Sequence, residues 1–146
     1  LRNPTCPNGI VSFELAYSDA AARAIVASWD STTQLIAALG LGFDYLFLAC
    51  YTTAIGAAGI ALSRTWPFGA RVAGPLAWLA WVAGGMDAIE NAALAQILIG
   101  DPATHWAPLA GACASVKFGI LALTLSFLVV ALVRRFRAQS TPSGVS

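Results

Sequence analysis

The chain has 146 residues, of which 58% are apolar and only 10% charged. A soluble domain carries about 25% charged residues, so this chain lacks the polar skin of a soluble enzyme and the composition of a disordered one. Eight Lys/Arg against seven Asp/Glu leave a net charge of +1, too little to mark a nucleic-acid partner.

In chain order, residues 1–32 precede the apolar stretches as a separate segment. Val11, Phe13, Leu15 and Tyr17 alternate with Ser12, Glu14, Ala16 and Ser18, the period of an extended piece. From Ser18, an N-cap followed by Asp19, the spacing turns helical, with Ala21, Ala24, Ile25, Ser28 and Trp29 on one face. Residues 19–30 are therefore expected to form a short amphipathic helix, packed on a bundle as a lid or gate, or lying among headgroups.

Three stretches reach the roughly 20 apolar residues needed to cross a bilayer. They cover 33–63, 74–99 and 106–133. Stop signals separate them: Arg64 to Arg71 with Pro67 and Gly69, then Gly100-Asp101-Pro102, then Arg134-Arg135-Phe136-Arg137. The fold expected is all-α, an integral membrane bundle with three spans. Arg64 and Arg71 lie in the first loop and three arginines follow the last span, whereas Asp101 and His105 are the charged or titratable residues of the second loop. The positive-inside rule puts the first loop and the C-terminus in the cytoplasm, with residues 1–32 outside. Trp29 and Trp106 suit the outer belt and Trp66 the inner one, while Trp78 and Trp81 suit packing positions. An outer N-terminus in turn implies a removed signal peptide or a preceding helix. A fourth wall for the buried charges favours the helix. Residues 134–146 read as a basic stretch running into a disordered tail from Gln139.

Inside these apolar stretches stand Asp44, Asp87, Glu90 and Lys117. An ionised group at the centre of a lone helix costs about 2.5–3.5 kcal/mol even on the lenient insertion scale. Counting rise alone from the outer ends, all four lie about 14–18 Å deep. Asp87, Glu90 and Asn91 share one helix face at i, i+3, i+4. These spacings predict one buried cluster in which carboxylates from both other spans bracket Lys117. Three acids against one base cannot all stay ionised in a water-poor site, so a proton, a cation or an amine is expected to complete it. Asp87 and Glu90 are the natural proton-sharing pair. Tyr51, seven residues after Asp44, Cys113, four before Lys117, and Thr124 lie on the same faces. Helix packing with local back-bonding is the plainer role for these three.

The candidate ligand- or proton-binding residues are thus Asp44, Asp87, Glu90, Asn91, Lys117 and Tyr51. The other readings of the cluster are a register device orienting greasy helices and acid–base catalysis on a lipid-soluble substrate. No catalytic residue, metal ligand set or cofactor is assigned. His105 is the lone histidine, and there is no phosphate-binding glycine loop, HExxH or GxSxG. Cys50 and Cys113 read as small apolar residues, and Cys6 as a thiol facing an oxidising compartment. Stripes of small residues, Gly111-Ser115-Gly119 and Ala80-Gly84-Ala88-Ala92, allow close helix approach within the bundle, or toward a second copy or a larger complex.

The segments Gly9 to Ala16 (GIVSFELA), Ser28-Trp29-Asp30, Leu41 to Phe47 (LGFDYLF), Asp87 to Asn91 (DAIEN) and Lys117-Phe118-Gly119 resemble a group of small bacterial inner-membrane proteins without assigned activity. The resemblance covers about residues 9–120 and implies a four-helix architecture with an extra N-terminal span. It implies no reaction. Taken together, the expectation is a non-enzymatic bundle holding a proton, cation or amine. An accessory subunit of a larger membrane complex and an intramembrane acid–base enzyme are the rivals.

Overall fold

The structure, a computed structural model, describes residues 1–63 and 67–139. Arg64, Trp66 and the tail 140–146, to which the sequence assigned a topological signal, a belt position and disorder, lie outside the described residues. The described residues are 83% helical, with no strand among them. Among the described residues five helices follow one another: α1 (Ile10–Glu14), α2 (Asp19–Ala27), α3 (Ser31–Ser63), α4 (Pro67–Leu98) and α5 (Trp106–Gln139). The last three are long and apolar enough to cross a membrane and form a packed bundle. At 33, 32 and 34 residues they run about 50 Å, longer than the hydrocarbon core, so their ends reach past it or the helices tilt.

The bundle is apolar outward and polar inward. Leu35, Phe43, Leu46, Trp78 and Val129 are exposed, while Thr52, Asp87, Glu90, Asn91 and Lys117 are buried. That distribution suits lipid as the surrounding solvent. Helix α4 is central: α3 and α5 each pack along its length and meet one another far less. Close approach of α3 and α4 relies on Gly84, where a Cβ would stand 2.7 Å from Thr52 Cγ2. Tyr45 Oη adds a cross-link by donating to the Ala88 carbonyl at 3.1 Å.

Local chemistry sets the ends. Ser18 caps α2 by accepting from Ala21 N at 3.3 Å, with Asp19 in the first turn. Asp30 Oδ1 accepts from Thr33 N at 2.7 Å at the start of α3. Helix α4 ends in a Schellman pair: Asp101 N donates to Gln96 O at 3.0 Å and Gly100 N to Ile97 O at 3.1 Å. Gly100 takes the positive φ of 86° that this motif requires.

Several expectations are corrected. Residues 10–14 are a helical turn rather than an extended piece: four alternating positions do not separate the two, and a lone strand would leave its backbone unpaired where Phe13 and Glu14 are buried. Helix α2 ends at Ala27 and buries Ala22 and Ile25, with Trp29 beyond it, while Ala21, Ala24 and Ser28 are exposed. Trp29 is no interfacial anchor. It is 5% exposed and meets Phe13 edge-on at 5.4 Å. Trp78 and Trp81, expected to pack, are 75% and 48% exposed. Helix α4 begins at Pro67 instead of Gly74, because a proline fits the first helical position, where its missing N–H is not needed. Pro75 then lies inside the helix. Cys6 is fully buried and its Sγ donates to Gly9 O at 2.8 Å, so it presents no thiol to another chain.

Candidate functional site

Along α3, Asp44, Phe47, Tyr51 and Ile55 recur at i, i+3, i+7 and i+11, a single helix face. Along α5, Lys117, Leu121 and Leu125 do the same at i, i+4 and i+8. Both helices pack mainly on α4 and less on each other, and these faces line a partly open cavity of about 360 Å³ with Asp87 of α4 in its wall. Val11 and Glu14 of α1 line it from the N-terminal segment.

Lys117 Nζ donates to Asp87 Oδ1 at 2.9 Å and lies 2.8 Å from Glu90 Oε2. Apart from this ion pair, neither Glu90 oxygen has a hydrogen-bond donor among the described residues. Asp87 Oδ2 accepts from Tyr51 Oη at 3.0 Å. The three ionic groups are 5% (Asp87), 0% (Glu90) and 6% (Lys117) exposed. The ammonium also stands 4.8 Å from the Phe118 ring centroid, an additional electrostatic contact. Asn91 is 1% exposed and sits beside Asp44, yet neither Nδ2 nor Oδ1 closes a hydrogen bond of normal geometry.

Asp44, Asp87, Glu90, Lys117 and Tyr51 therefore come together, with Asn91 at the edge of the group. The bracketing differs from the expected one. Both ion-pair partners of Lys117 come from α4, since Asp87 and Glu90, one turn apart, both reach its Nζ. Asp44 is half-buried and lines the cavity with no ion pair among the described residues. Tyr51 joins the cluster through its hydroxyl, whereas Thr124 back-bonds to Ile120 O at 3.0 Å within its own helix. Cys113 is buried with a free thiol.

Glu14 was not among the residues singled out. It is 7% exposed, lines the same cavity, and has no hydrogen-bond or ion-pair partner among the described residues. Burial pushes its carboxyl above the ordinary value of 4.5; Lys117 opposes the rise, and Asp44 and Asp87 add to it. The available signal was an acid at the centre of the apolar run Ile10 to Tyr17, broken otherwise by Ser12. With it, four carboxylates surround one ammonium, a formal excess of three negative charges.

The N-terminal segment is pinned above this site. Tyr17 Oη hydrogen-bonds Ser115 Oγ, and its ring lies so close to Gly111 that a Cβ there would be 2.6 Å from Cδ1. Arg23 Nη2 donates to the Asp101 carbonyl between α4 and α5. Gly111 and Ser115 thus receive a segment of their own chain, and Gly84 receives α3; Gly119 faces open space within 4 Å. No family model matches the chain, and no curated protein or solved structure matches it either.

Proposed function

We propose that this is a non-enzymatic membrane protein whose buried cluster binds a positive charge: a proton, a cation or an amine. One observation carries the reading. Lys117 is already held by Asp87 and Glu90, yet Glu14 and Asp44 add two carboxylates to the cavity with no ion-pair partner among the described residues. In a low-dielectric site such an excess draws in a proton or a cation, because ionised acids without a counter-charge are costly there. A purely structural register device has no need of the two extra acids. The positive-inside pattern supports an orientation with Arg134, Arg135 and Arg137 in the cytoplasm, and the resemblance noted above supports a bacterial inner membrane.

The test is thermal unfolding of the detergent-solubilised protein across pH, and with ammonium, alkali and methylammonium salts at constant ionic strength. The expected outcome is a saturable rise in melting temperature with at least one cation, or on acidification. Asp44→Asn should diminish that response. A melting temperature indifferent to pH and to every cation refutes the proposal.

A further inference from the structure

The cavity is polar at one end and apolar along the rest, which says more about its ligand than charge does. Glu14, Asp44, Asp87 and Lys117 mark the polar end, and Ile55, Leu121 and Leu125 continue from it. From Lys117 to Leu125 the wall runs about 12 Å at the helical rise, the reach of a medium-length alkyl chain. Its volume of about 360 Å³ is at the small end of the roughly 300–1,000 Å³ found for small-molecule sites. Phe47, Phe118 and Leu125 are 62%, 40% and 49% exposed on the outer surface of the bundle. The cleft between α3 and α5 is therefore open on the side that faces lipid.

A bare metal ion fits this site poorly. Among the described residues no group of three or more His, Cys, Asp or Glu is placed to hold one. Hard cations take six or more oxygens, and the backbone carbonyls here are committed to helices. A protonated amine needs less: up to three N–H donors, aimed at carboxylates. Glu14 is an acid more than nine-tenths buried, without a hydrogen-bond or ion-pair partner among the described residues, lining the space where such an ammonium would sit.

Building on the positive-charge reading, we propose that the ligand is a primary amine bearing an apolar chain, taken from the bilayer between α3 and α5. Its ammonium is received by Glu14 and Asp44, and its chain lies along Ile55, Leu121 and Leu125. Lys117 is a positioning residue: it holds Asp87 at the floor and repels a ligand ammonium toward Glu14 and Asp44.

Thermal unfolding of the solubilised full chain with n-octylamine, methylammonium, n-octanol and octanoate tests this. Octylamine should raise the melting temperature saturably at concentrations at least about tenfold lower than methylammonium, with octanol and octanoate ineffective. Glu14→Gln/Asp44→Asn should weaken octylamine at least roughly tenfold by removing charge-assisted bonds. Leu121→Trp, which fills the apolar end, should weaken octylamine and spare methylammonium. Equal potency of octylamine and methylammonium overturns the apolar-chain inference while leaving the positive-charge reading intact. Equal effects of octylamine and octanol, unchanged in the variants, mean partition into the micelle and also overturn it. No response to any amine, with none to pH or inorganic cations, removes both.

Discussion

Lys117 is the residue on which the buried charge depends, because its one ammonium serves two carboxylates at 2.9 and 2.8 Å. Removing one side of a buried pair costs about 3–5 kcal/mol, since the remaining charge is stranded. Lys117→Met should therefore lower stability by that order in chemical denaturation, and adding Asp87→Asn and Glu90→Gln to it should restore most of the loss. A single variant as stable as the parent would mean that the ion pairs carry little weight. At this scale the sequence was informative about depth and silent about partners. The i, i+3 spacing of Asp87 and Glu90 put both on the face that meets Lys117. Rise along three separate helices did not say which acids the ammonium would reach, and it gave Asp44 a share of Lys117 that both acids of α4 take instead. Glu14 was missed because it lies outside the spans, in a run whose apolar alternation suggested a strand; its burial comes from tertiary docking of α1, which no local pattern encodes.

Among the elements, the N-terminal segment is the one with a built-in dependence on pH. Glu14 has a raised pKa when docked, so the closed segment holds its proton more tightly than an opened one does. The stabilisation is fully present below 4.5, the ordinary value, and declines as pH rises through the raised one. Amide exchange over residues 10–22 should accordingly speed up with pH beyond the chemical rate, and Glu14→Gln should remove the excess. Exchange that tracks the chemical rate alone in the parent protein would contradict this. The same segment is seated by Tyr17 on Gly111. Gly111→Ala drives a Cβ into the ring, and overpacking of this kind costs about 1–3 kcal/mol. Its expected signature is faster exchange across α1 and α2 with the amides of α4 unchanged; uniform destabilisation would place the strain in the bundle instead. The helix over 19–27 was legible from Ser18 and Asp19. Its buried face was offset because Ala22, not Ala21, meets the bundle, a choice made by the docking angle. The early start of α4 was hidden by reading Pro67 as a terminator when it stands at the first helical position.

For the molecule as a whole, composition and the lengths of the apolar stretches were enough to indicate three apolar helices, and the structure places their polar groups inward and their large apolar residues outward. What composition could not provide was the uneven packing, with α4 central and a cleft between α3 and α5. That cleft separates the acids into two kinds: Asp87 and Glu90 engaged with Lys117, Glu14 and Asp44 in excess. The division predicts opposite signs for conservative changes, and melting temperatures of four variants in ligand-free detergent at pH 8 measure it. Asp87→Asn and Glu90→Gln should lower the melting temperature, because each strands part of a buried ammonium. Asp44→Asn and Glu14→Gln should raise it, because each relieves unbalanced negative charge. If all four fall together, Glu14 and Asp44 are already paired and the central claim of a site for a positive charge is wrong.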